Sequence, residues 1–278
     1  MKPNVIRLDP WTGLRRFTDA RIALGRAGVS LPTQAQLEFQ LAHARARDAV
    51  HARPDWDEIE TALAALGLQT LRVSSKAADR STYLQRPDLG RRLDDKSIEV
   101  LQACSRALNA NVMEQAEDGA DICFDVAFVV ADGLSAYAVQ RQAVPLLEAV
   151  LLLLQAERWR IAPVALVNQG RVAVGDEIGA LLKAAIVVVL VGERPGLSSP
   201  DSLGVYFTHT PRPGMTDATR NCISNVRPAG LPAPAAAHKL CYLLSESRRR
   251  KISGVALKDD AEVELNLATA NRNFLTAD

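Results

Sequence analysis

After Ala185 come six larger apolar residues, Ile186 to Val191, with no polar group among them. A Val-rich run of this length reads as a strand buried on both faces. It stops at Gly192-Glu193-Arg194-Pro195, a turn cluster carrying a charge pair. Two earlier runs have the same form. CFDVAFVVA (123–131) leads into Asp132-Gly133-Leu134-Ser135 and then an Ala-, Val- and Leu-rich helix to about Glu157, which Pro145 is expected to break or restart. IAPVALVN (161–168) leads into Gln169-Gly170-Arg171-Val172 and the helix that holds IGALLKA. A fourth strand, Gly204 to Thr208, and a late helix, Ala235 to Arg250, follow. Strands alternating with helices predict βαβ units and an α/β fold: a Rossmann-like, doubly wound, mainly parallel sheet. In such a sheet the loops that follow the strands share one edge, and ligands bind in the crevice there. The pattern therefore nominates those three loops as a rim, each with a Gly that lets backbone come close to a ligand.

The pattern before about residue 110 is different and predicts a mostly helical amino-terminal domain (1–110), leaving 111–278 for the sheet domain. Trp11 to Ala27 is Arg-rich and reads as a helix ended by Gly25 and Gly28. Thr33 and Gln36 form a capping-box pattern ahead of an apolar stripe at Leu37, Leu41 and Ala44. Asp55 and Glu58 repeat it ahead of Ile59, Leu63 and Leu66. A short strand, Thr70 to Ser74, precedes a polar loop with Arg80, Arg86, Arg91 and Arg92 around Tyr83. That loop suits either an acidic or amide-rich partner or a set of local ion pairs. Ser97 to Leu108 closes the region as an amphipathic helix.

Charge and motifs narrow the function. Of 278 residues, 33 are Lys or Arg and 32 are Asp or Glu, so nothing attracts nucleic acid or an anionic membrane. Cys104, Cys123, Cys222 and Cys241 are far apart and read as reduced thiols. The start lacks the apolar core of a signal peptide, and AVPLLEAVLLLLQA, interrupted by Glu148, is too short to span a bilayer, so a cytoplasmic, soluble protein is expected. His43 and His51, eight residues apart, are not placed as i, i+4 metal ligands. No GxGxxG follows the first strand and no GxxxxGK[ST] occurs. No Ser-His-Asp or Cys-His arrangement is readable, so no catalytic or metal residue is assigned. The residues fit a protein that holds an amide-rich ligand, with a stand-alone nucleotide- or phosphate-binding enzyme and a scaffold docking through residues 80–92 as alternatives.

GERPGLSSPDSLG, TDATRNCISN, VADGLSA, QGRVAVGDEIG, YLQRPDLGRRL and FTDARIALGRAG together resemble the small (light) subunit of ethanolamine ammonia-lyase, from about Trp11 to Lys258. The resemblance implies a subunit, inactive alone, of a lyase that uses adenosylcobalamin to turn ethanolamine into acetaldehyde and ammonia by a radical route. It implies a barrel-shaped large subunit as partner, cobalamin at the interface and a hexamer of heterodimers. It places cobalamin contacts at Val172 (GRV), Glu193 (GERPG) and Cys222 (NCISN). The DxHxxG motif of base-displacing cobalamin proteins is absent, since His209 and His238 lack that context, so the cofactor is expected to keep its own base. The chain begins close to the shared core, and packaging into a bacterial microcompartment is left open.

Overall fold

A computed structural model describes residues 9–112 and 124–259. The first strand is expected to start at Cys123, which lies outside the described residues, as does the tail from residue 260. Six strands form one sheet in the order β1-β3-β2-β4-β5-β6: β1 Thr70–Ser74, β2 Phe124–Ala131, β3 Val164–Asn168, β4 Ala184–Gly192, β5 Leu203–His209 and β6 Asn221–Val226. The first four positions pair in parallel. β5 runs antiparallel to β4, and β6 antiparallel to β5. The sheet is therefore mixed, not mainly parallel and doubly wound throughout. The cause is the connections: 193–202 and 210–220 contain no α-helix, and without a crossover helix a chain can only turn back antiparallel.

Helices cover both faces. Val126, Phe128 and Val130 of β2 point to a core shared with α2 (Trp56–Ala65), α5 (Ala136–Leu154) and α7 (Ala233–Arg250). Ala127, Val129 and Ala131 point the other way, to α4 (Asp95–Val112) and α6 (Val174–Leu181). This is the period-two alternation of a strand with two buried faces. β1 is the edge strand of the same sheet, and Ile59 and Leu63 of α2 belong to the main core.

Three local expectations are corrected. The segment from Trp11 is a 3-10 turn, Pro10–Phe17, with no buried residue, and the helix does not continue to Ala27. Ala23 and Gly25 both have positive φ, a conformation no right-handed helix contains. Thr33 is the first helical residue of α1 (Thr33–His51), not its cap, and no side chain caps that helix. Pro145 lies inside α5 without ending it. Pro145 and Arg141, whose carbonyl loses its partner, are both on the exposed side of α5, where water replaces the bond. By length and composition α5 is the one helix among the described residues that could cross a membrane, yet ten of its 19 residues are buried against the sheet and α7.

Asp55 does cap α2, accepting from the backbone N–H groups of Asp57 and Glu58. The other half of the expected box comes from elsewhere, as the Gln140 carboxamide accepts from Asp55 N–H at 2.9 Å and donates to Glu58 at 2.5 Å. The fit of α5 on α2 takes up the groups that a local box would have used.

Candidate functional site

The loops after β2, β3 and β4 meet at the carboxyl edge of the parallel strands. Leu134 N–H donates to the Gly192 carbonyl at 2.8 Å, joining the first loop to the third. Gly170 N–H donates to Asp132 Oδ1 at 3.1 Å, joining the second to the first. Ser135 donates to the Pro200 carbonyl at 2.6 Å and also caps α5 through Ala138 N–H. Gly133 and Gly192 make these loop-to-loop contacts possible. A Cβ on Gly192 would sit 2.0 Å from the Ser135 carbonyl oxygen, and one on Gly133, at φ +58, would sit 2.3 Å from the Gly192 carbonyl oxygen.

Beneath the rim, Arg80 and Tyr83 of α3 (Arg80–Gln85) act as a clasp. The Arg80 guanidinium donates to the carbonyls of Val50 at 2.5 Å and Gly133 at 2.7 Å and faces Asp132 at 3.8 Å. It and the Arg171 guanidinium lie over the Tyr83 ring, at 4.7 and 4.5 Å from its centroid. Tyr83 is buried, which pushes its phenol up to about 12 against the pull of Arg171. Of the four arginines of this loop, which suited either a partner or local ion pairs, Arg80 is thus internal. Arg92 is held by Glu177, and Arg86 pairs with Asp88 at 2.7 Å.

Asp132 is 3% exposed, and burial pushes its carboxyl up to about 6, with Arg80 and three loop N–H groups opposing. Its folded value lies above the unfolded one near 4. Its contribution to stability is therefore fully present below about pH 4 and is lost as pH rises through about 6. Asp132→Asn should flatten the pH dependence of the unfolding free energy across pH 4 to 6. Urea melts at four pH values read this directly, and an unchanged slope would contradict the assignment.

Between the loops lies a cleft of about 400 Å³, walled by Leu134, Val172, Val191, Tyr206, Glu193 and Ser224 among others. Glu193 is anchored by three donors: the hydroxyls of Ser202 and Ser224, each at 2.5 Å, and Asn225 N–H at 3.2 Å. Its neighbour Arg194 is exposed and makes no ion pair with it among the described residues. Val172 and Glu193 thus wall the same cleft. Cys222 does not line it directly. It is an exposed thiol opposite Tyr206 across the β5–β6 ladder, and strand alternation puts it on the face of Ser224. Desolvation raises the Cys222 thiol and the Tyr206 phenol, so both are neutral contact groups at pH 7. No cluster of metal-binding side chains occurs among the described residues. His209 pairs with Ile186, near the opposite end of β4 from the rim. The cleft presents one anchored carboxylate, Glu193, an apolar wall of Leu134, Val172 and Val191, and the side chains of Tyr83, Arg171 and Arg194.

Residues 8–258 match the sequence model of the family described as ethanolamine ammonia-lyase light chain (EutC), a span that includes every described strand and all three rim loops. The chain belongs to the ethanolamine ammonia-lyase light-chain family. It is 57% identical over 273 residues to the ethanolamine ammonia-lyase small subunit of Ralstonia nicotianae, covering 98% of this chain and 96% of that one. It is 59% identical over 255 residues to the Azotobacter vinelandii small subunit, covering 92% and 90%. With that of Pseudomonas aeruginosa UCBPP-PA14 it shares 56% over 277 residues, covering 99% and 97%.

Two features of this light-chain relative escaped the sequence reading. One is the Tyr206–Ser224 side of the cleft, which depends on antiparallel β5–β6 pairing. The other is a buried ion pair. Arg220, in the TDATRN segment, makes a two-pronged bond to Asp176 in the first turn of α6, at 2.6 and 2.7 Å, with both side chains no more than 2% exposed. Arg220 also donates to Thr208 at 3.1 Å and to the Met215 carbonyl at 3.0 Å. The residues lie 44 apart, with no periodicity to connect them.

Proposed function

We propose that this chain is the small subunit of an adenosylcobalamin-dependent ethanolamine ammonia-lyase, and that its rim cleft holds one edge of the cobalamin against a large subunit that carries the substrate. The single observation that carries the reading is Glu193. Three donors fix its carboxylate at the cleft wall. A carboxylate has about four acceptor sites, so one remains for an outside N–H. The rim of a corrin bears amide side chains and methyl groups. A fixed acceptor beside Leu134, Val172 and Val191 fits that mixture of donors and apolar surface.

When bound, the cofactor supplies the radical chemistry that removes hydrogen from ethanolamine. The residues of this chain position and shield. Glu193 accepts an amide N–H, Val172 packs on the corrin edge, and Cys222, next to Tyr206, closes the β6 side as a neutral contact. A corrin is far larger than a 400 Å³ cleft, so most of it lies against the partner. The family name of the relatives, small subunit, supports such a partner, and a hexamer of heterodimers is the expected assembly.

Reconstitution tests the reading. The chain, a large subunit from the same source and adenosylcobalamin are combined in all pairings, and acetaldehyde release is followed. Activity only with all three is expected; turnover of ethanolamine by this chain and cofactor alone would refute a non-catalytic role. Glu193→Gln should weaken cobalamin binding by the complex about 10- to 100-fold, the worth of one charge-assisted hydrogen bond. The core is not touched, so the melt of the isolated chain should stay close to wild type. Equilibrium titration with cobalamin reads the first effect, and unchanged affinity would count against the cleft as the cofactor site.

A further inference from the structure

The amino-terminal face, formed by the segment before α1 and by α1 itself, is largely uncovered among the described residues. Over its 19 residues α1 buries only Ala35 and Ala49. Its apolar positions Leu37 and Leu41 are 58% and 52% exposed, and Trp11 in the preceding turn is 64% exposed; Leu31 and Phe39 are exposed too. Helices in proteins owe most of their stability to a packed face and not to propensity. Leu37 and Leu41 lie one turn apart on the same side of α1, and Arg15 of the preceding turn reaches Glu38 of α1 at 3.9 Å, so exposed apolar side chains gather in one region, as at interaction sites.

Charge and position say what covers it. Residues 9–53 carry seven arginines against four carboxylates and no lysine, an excess of positive charge on a chain that is nearly balanced overall. The face also adjoins the rim at both ends. The turn residues Arg15 to Ala20 line a hollow of about 570 Å³ with Ser198, Arg227 and Ala229, next to the loop that begins at Glu193. At the other end, the Val50 carbonyl of α1 is held by Arg80, whose guanidinium also holds Gly133 of the rim. A body that closes over the cleft therefore lies beside this face.

We propose that the face centred on Trp11, Leu37 and Leu41 is the main docking surface for the large subunit, and that it receives an apolar patch of that subunit bordered by carboxylates. The inference rests on the functional reading above, since that reading supplies the partner. Apolar anchors give the affinity, as buried large side chains do at protein interfaces. The arginines speed and orient the encounter.

The test uses the full chain and the large subunit. The triple variant Trp11→Ser, Leu37→Ser, Leu41→Ser removes no buried side chain, so its far-ultraviolet circular dichroism and melting should match wild type. Interferometry with immobilised large subunit should show affinity reduced about 100-fold or more, as loss of several anchors implies. Raising salt from 50 to 500 mM should slow association of the wild-type chain. Wild-type affinity in the folded variant would overturn the docking surface while leaving the functional reading intact. Absence of any complex between wild-type chain and large subunit would overturn both. Two further results would overturn the assignment of the occupant. One is concentration-dependent dimerisation of the wild-type chain alone, lost in the variant. The other is a chain ending at Asp259 that binds the large subunit much more tightly than wild type, which would mean that residues 260–278 cover the face.

Discussion

Arg220→Ala is expected to cost about 3–5 kcal/mol of folding free energy, the usual effect of breaking a buried ion pair. It leaves the Asp176 carboxylate 1% exposed with its two-pronged partner gone, and it frees Thr208 and the Met215 carbonyl as well. Stabilities of 5–15 kcal/mol are typical, so the loss is a large fraction of the whole. Urea unfolding measures it, and thermal melting should fall by roughly 6–20 °C for a chain of this size. Asp176→Leu with Arg220→Met should recover much of the loss, because replacing both charges by apolar groups is often neutral. The effect should reach the cleft. Arg220 immediately precedes β6, which carries Cys222 and Ser224, and the pair anchors that strand to the start of α6. A cost below about 1 kcal/mol for the single variant would show that the pair is not the anchor described.

Gly192→Ala should be comparably damaging for a different reason. The new methyl would lie 2.0 Å from the Ser135 carbonyl oxygen and 2.7 Å from that of Asp132. Both are backbone atoms in loops tied to each other, so neither can rotate away. Overpacking of this kind costs about 1–3 kcal/mol or more, and here it separates the first rim loop from the third. Stability should fall and cobalamin affinity of the complex should fall with it. Gly196→Ala is the control. Its methyl would meet only the Ser199 hydroxyl at 2.5 Å, a side chain free to turn, so a change within about 0.5 kcal/mol is expected. Equal effects of the two substitutions in parallel melts would contradict the loop-to-loop packing.

These two positions also show how far the sequence could be read. The strands were legible because β2 beyond Asp125, β3 up to Asn168 and β4 are apolar runs, as strands buried on both faces must be. Their loops could be placed on one rim by topology alone, and that brought Val172 and Glu193 to one cleft. Gly192 was legible as special, but its packing against the first loop was not: a glycine that admits a ligand and one that admits another loop look alike in sequence. The antiparallel half of the sheet was misjudged because apolar runs carry no direction. The short helix-free connection 193–202 held that information. Pair partners such as Asp176 and Arg220 were not legible, since each looks like an ordinary surface charge until the fold buries it. The turn at Pro10–Phe17 was mistaken for a longer helix because its Leu, Phe and Trp suggested an amphipathic face. That face finds no core among the described residues, which is why it points to a partner.

The central claim is that the rim cleft is one half of a cobalamin clamp. The most direct measurement is a structure of this chain with the large subunit and adenosylcobalamin, by cryo-electron microscopy. The account predicts corrin density across the mouth of the cleft, with a side-chain amide within hydrogen-bonding distance of Glu193 and the ring edge against Val172 and the Cys222 side of β6. Corrin density enclosed by the large subunit alone, with the Glu193 cleft empty or facing solvent, would contradict it.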